Sequence, residues 1–161
     1  MKKGFTLIEL TIVLGISIFV ASALVASYIS ITKILSSEFD TSSIHLEGIR
    51  AMNTMTKEIR NCLRVDTATA TSFSFWYQDT NLNNTSEASE MISYNWNGIE
   101  GASLTKTTAG ATKDLAKHVK NLIFTYDSDT LSSIRNVTIS LTLLKGSEIS
   151  TFESQVRFRN L

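Results

Sequence analysis

The spacing of apolar residues changes along this chain from unbroken, to helical, to alternating. Residues 10–32 (LTIVLGISIFVASALVASYISIT) carry no charge over 23 positions. As a helix rising 1.5 Å per residue they would extend about 35 Å. The hydrocarbon core of a bilayer is roughly 30 Å thick, so this run predicts a membrane span with some tilt. Gly15, Ser17, Ala21, Ser22, Ala23, Ala26 and Ser27 are small, and small residues let helices approach closely in lipid. From Ile44 the apolar positions recur at three and four: Leu46, Ile49, Met52, Met55, Ile59 and Leu63. That is one stripe of an amphipathic helix. Glu47, Arg50, Lys57, Glu58, Arg60 and Arg64 fall between, mostly on the solvated side. One long helix to about Leu63 is expected, with Ser36 to Ser43 as the stretch where Asp40-Thr41-Ser42-Ser43 would break or re-cap it.

Beyond the helix the period drops to two. Ser72 to Tyr77 and Met91 to Trp96 read as strands joined by a polar loop, with a turn at Asn97-Gly98. The Thr-rich stretch 103–112 reads as an edge strand or a loop. Leu115 and Val119, four apart, predict a short helix over 113–120 capped by Thr112. Leu122 to Tyr126 is a strand and Asp127 to Ser133 a turn. Asn136 to Leu143 alternates over eight residues, the strongest strand signal in the chain. Lys145-Gly146-Ser147 turns it into a last strand over 150–158. The fold class is therefore α+β, a long N-terminal helix packed on a small antiparallel β-sheet head.

Composition narrows the function. Fifteen basic residues balance fifteen acidic ones, so no footprint for nucleic acid is visible. Cys62 is the only cysteine, which rules out an intrachain disulfide. No proline interrupts the helix. Lys2 and Lys3 precede the apolar run and place its N-terminus in the cytoplasm by the positive-inside rule. Glu9 is the anomaly. A carboxylate at a membrane helix centre costs roughly 2.5–3.5 kcal/mol, and an ionisable residue in a span is a functional candidate by default.

Lys-Lys-Gly-Phe-Thr-Leu-Ile-Glu-Leu at residues 2–10 resembles the processing signal of type IV prepilins and type II secretion pseudopilins. The resemblance implies cleavage between Gly4 and Phe5 by a membrane prepilin peptidase, N-methylation of Phe5, and Glu9 as the fifth mature residue. It divides the chain into a leader at 1–4, a transmembrane half-helix at 5–32, an amphipathic half at 33–64, and an α+β head at 65–161. Cleavage removes Lys2 and Lys3, leaving 13 basic against 15 acidic residues. Residues 55–61, Leu115 to Val119 leading into Phe124-Thr125-Tyr126, and Val156 to Asn160 look like W-type minor pilins and J-type minor pseudopilins. Major pilins usually carry a proline in the anchor and a C-terminal cysteine pair, which this chain lacks.

In such a family, Glu9 of an incoming subunit would meet the terminal amine of a subunit already in the fibre. Two unit charges 4 Å apart at an effective dielectric near 20 attract by about 4 kcal/mol before desolvation. Glu9 would otherwise only complement its own helix terminus. Partners implied are other major and minor pilins or pseudopilins, the prepilin peptidase, an inner-membrane assembly platform and an ATPase. The location implied is the bacterial inner membrane, with the head outside, and then the fibre. An ordinary secretory signal peptide is the rival, with Ala21-Ser22-Ala23 as its cleavage site; Glu9 and the apolar run continuing to Ile31 argue against it.

The remaining candidates are weaker. Asp79, Asn81, Asn83 and Glu90 have the spacing of a calcium loop, with Asn84 where glycine normally stands. Calcium is the one cofactor this suggests, and a solvated hairpin loop is the plain alternative. Cys62 lies beside the apolar stripe as a buried thiol. His45 and His118 lack ligand spacing. No nucleophile elbow, phosphate loop or dinucleotide fingerprint occurs, so no catalytic residue is assigned and an enzyme is not expected. A membrane-anchored ligand-binding tip module, for DNA, a surface or a substrate, is the alternative function.

Overall fold

The computed structural model describes residues 6–159. Helix α1 spans Leu7–Arg60 and continues through the Ser36 to Ser43 stretch without a break. Eight strands follow: β1 Arg64–Ala68, β2 Ser72–Trp76, β3 Met91–Asn95, β4 Leu104–Thr108, β5 Ala111–Ala116, β6 Val119–Tyr126, β7 Asn136–Lys145 and β8 Glu148–Arg157. They form two antiparallel sheets, β1-β2-β3-β4-β5 and β6-β7-β8. The α+β expectation holds, with the head's sheet divided in two. Two compact units divide the chain, one ending at Phe39 and one beginning at Asp40.

In the first unit the described apolar side chains all face outward, from Leu7 to Phe39. Among the described residues α1 is the one helix long and apolar enough to cross a membrane. In the second unit, α1 buries Ile44, Gly48, Ala51, Met52, Met55 and Ile59. These positions step by three and four and form the face that packs on the sheets. Leu46 and Ile49 belong to the sequence stripe but stay about half exposed. Glu47 and Glu58, expected on the solvated side, turn inward. Glu58 accepts hydrogen bonds from the Tyr94 hydroxyl and, at 2.5 Å, from Lys106 Nζ. Glu47 accepts the Lys117 backbone N–H at 2.5 Å.

The alternating strands place Phe73, Phe75, Ile92, Tyr94, Leu104 and Ala116 of one sheet, and Leu122, Phe124, Val137, Ile139, Leu141, Leu143 and Val156 of the other, in one core. Phe73 joins the sheets: its ring lies 5.3 Å from Phe75, 5.9 Å from Phe124 and 5.6 Å from Tyr126. The Phe124 N–H also donates to the Ala70 carbonyl in the β1–β2 turn.

The short helix expected over 113–120 is not formed, and its residues belong to β5, a bend at Lys117-His118 and the start of β6. Ala109 and Gly110 both have positive φ, +50° and +78°, the backbone of a type I′ hairpin turn. That turn pairs Thr108 with Ala111 and commits the next residues to β4. The chain then turns a corner at His118 (φ +55°), whose carbonyl accepts the Leu144 N–H, and changes sheets. The Thr-rich stretch forms β4, paired on both sides. Strand β1, with only Val65 fully buried, has no counterpart among the sequence expectations. At the β7–β8 hairpin, Gly146 takes φ +63°, as the first position of a type II′ turn requires.

Candidate functional site

Gly4 and Phe5 lie outside the described residues. Glu9 sits in the first turn of α1. Its Oε2 accepts the Thr6 backbone N–H at 2.9 Å and the Thr6 hydroxyl at 3.0 Å, while Thr6 Oγ1 accepts the Glu9 N–H at 3.4 Å. This is a capping box, Thr-x-x-Glu ahead of an apolar run, which satisfies donors that the helix start leaves unpaired. The local signal was present at Thr6-Leu7-Ile8-Glu9 and was missed beside the longer motif. After Glu9 no charge occurs until Lys33, so this carboxylate alone supplies a charge along the first seven turns of the helix.

The loop between β2 and β3 holds the four calcium candidates, and the structure gives each a protein partner. Asp79 accepts the N–H groups of Asn83 (3.3 Å) and Asn84 (3.0 Å). Asn81 Oδ1 accepts the Asn83 N–H, and Asn83 Oδ1 the Thr85 N–H. The side-chain amides of Asn81 and Asn83 both donate to Glu87 at 2.9 Å. Glu90 is buried at 2% exposure. It accepts the Thr80 N–H and hydroxyl, each at 2.6 Å, and Trp76 Nε1 at 3.1 Å. Those bonds, the Thr80 hydroxyl foremost, hold its carboxyl below the usual glutamate range despite burial. Glu90 thus ties the loop at Thr80 to Trp76 of β2. Among the described residues no three His, Cys, Asp or Glu side chains come together as a metal set.

Three further residues are accounted for. Cys62 is fully buried, and desolvation pushes its thiol up to about 12, which leaves it protonated and unreactive. His45 meets the Phe152 ring edge-on at 5.8 Å, and His118 serves the sheet corner. Comparisons against protein-family models, curated proteins and solved structures find no match to this chain. The site is therefore characterised by its own residues: a capped, acid-headed apolar helix carrying a folded head.

Proposed function

We propose that this chain is a minor subunit of a type IV pilus or a type II secretion pseudopilus. On this reading it is cut between Gly4 and Phe5 on the cytoplasmic face of the inner membrane and methylated on Phe5. The apolar half of α1 stores it in the bilayer, head outside, until an assembly platform draws it into the fibre at or near the tip. The observation that carries the reading is Glu9, the single acid at the head of a membrane-length helix and itself part of the Lys2–Leu10 motif.

The capping box sharpens the mechanism. In the isolated chain the Glu9 carboxylate rests on the Thr6 amide and hydroxyl, both neutral donors. Cleavage creates a cationic α-amino group at Phe5 of each subunit. The cap bonds and a bond to the amine are all charge-assisted, since the carboxylate is ionised. Only the amine adds an opposite unit charge, worth about 4 kcal/mol at 4 Å and an effective dielectric near 20 before desolvation. The amine of a subunit already in the fibre would therefore draw Glu9 away from its own cap. Substitution Glu9→Gln separates the two roles, because glutamine also completes a capping box but carries no charge. Processing should stay intact, and the subunit should disappear from sheared fibres. Incorporation of Glu9→Gln at the parental level would sink the charge-pairing mechanism.

A further inference from the structure

The charges of this neutral chain are segregated. From Val65 to Thr105 there is no lysine or arginine, and there are five carboxylates: Asp66, Asp79, Glu87, Glu90 and Glu100. On α1 from Asp40 onward each acid has a partner: Asp40 pairs with Lys145 at 2.9 Å, Glu47 accepts the Lys117 N–H, and Glu58 holds Lys106. Arg50, Lys57 and Arg60 are left exposed, with no side-chain partner among the described residues. Beside them a groove of about 270 Å³ runs between α1 and β8, lined by Ile49, Met52, Asn53, Thr56, Phe152 and the residues that follow it. Its floor is apolar and its helix rim is basic. Glu153 is the one acid on its wall, and Arg157 follows on the same face of β8.

The acidic segment carries the complementary shape. Leu82 at the tip of the β2–β3 loop is 87% exposed, the most exposed large apolar residue described. It is held at φ +57°, a backbone that a leucine rarely adopts. The bonds from Asp79 and Glu87 to the residues around it fix the tip in place, so docking it orders little that is not already ordered.

We propose that the Leu82 tip of one copy seats in the Ile49–Met52–Phe152 groove of a second copy, with Asp79 and Glu87 set against Arg50, Lys57 and Arg60. The two surfaces are different, so the contact is heterologous. Each pair keeps one free tip and one free groove. This deepens the fibre-subunit reading by naming the head surfaces through which copies meet, and it rests on that reading for bringing copies together in one membrane.

The test uses the full chain in detergent-solubilised membranes, with two differently tagged variants, Thr85→Cys beside the intact Leu82 tip and Asn53→Cys, mixed and oxidised. Both substituted side chains are exposed and the native thiol is buried. The expected result is a mixed Thr85→Cys/Asn53→Cys adduct, weakened by high salt as exposed charge contacts are. Adding Arg50→Glu and Lys57→Glu to the Asn53→Cys chain should lower its yield roughly tenfold. Absence of the mixed adduct, a yield indifferent to the charge reversals, or adducts joining two Thr85→Cys chains in its place would overturn the proposal. None of these outcomes depends on how the N-terminus is processed, so a failure of the fibre reading is seen separately.

Discussion

Replacing Tyr94 by phenylalanine tests how the helix is fastened to the head. Tyr94 is fully buried in β3, and its hydroxyl donates to Glu58 on α1, whose other oxygen holds Lys106 Nζ at 2.5 Å. Burial first, and then the bond to the Glu58 carboxylate, push the phenol above its usual range, so it remains a donor at any physiological pH. A hydrogen bond to a charged acceptor contributes about 1.5–3 kcal/mol. The lower end applies here, because the Glu58 side chain keeps Lys106 and is 17% exposed. Tyr94→Phe should therefore destabilise the head by about 1.5 kcal/mol, close to 6 °C in Tm for a unit of this size. Glu58→Leu should cost more, about 3 kcal/mol, since it strands a buried hydroxyl and leaves Lys106 unpaired. The assay is urea unfolding of the full chain in detergent, followed by near-UV circular dichroism, for both single variants and the double variant. The double variant should cost clearly less than the sum of the singles. Strict additivity, or a Tyr94→Phe effect under about 0.5 kcal/mol, would refute the shared bond.

Two further outcomes follow from the same geometry. Glu90 has a folded-state pKa below its unfolded value, so its contribution is complete above the ordinary glutamate pKa of about 4.3 and is lost as pH falls through the lower folded value. The urea midpoint should fall along that acid limb in the parent chain and fall less in Glu90→Gln; parallel curves would exclude Glu90 as the cause. Gly48 lies against Phe152, where an added Cβ would come within 2.1 Å of the ring. Alanine gains about 1 kcal/mol of helix propensity but must displace that ring, so Gly48→Ala should be clearly more favourable in a Phe152→Ala background than in the parent. Equal effects in the two backgrounds would show that the ring does not constrain the position.

Much of this was legible in the residue pattern, and the failures are physical. The buried face of α1 from Ile44 to Ile59 followed its period, as did β7, because both meet one core along one side. The helix expected over 113–120 failed because two apolar residues four apart do not define a helical face once the Ala109-Gly110 turn pairs β5 with β4. Strand β1 gave no signal because one buried side chain, Val65, makes no alternation. The inward turn of Glu47 and Glu58 depends on Lys117 and Lys106, 70 and 48 residues away, which a local pattern does not contain. At the candidate site, the Trp76 and Thr80 bonds of Glu90 arise only once β2 and β3 pair, which no spacing along the chain contains. Thr6 and Glu9, by contrast, form a purely local motif.

The central claim is most directly tested at the N-terminus. Mass spectrometry of the mature chain from its native membrane should find a polypeptide beginning at Phe5 and carrying one added methyl group on its terminal nitrogen. A chain beginning at Leu24, after the Ala21-Ser22-Ala23 site, or one still retaining Lys2 and Lys3, would contradict it.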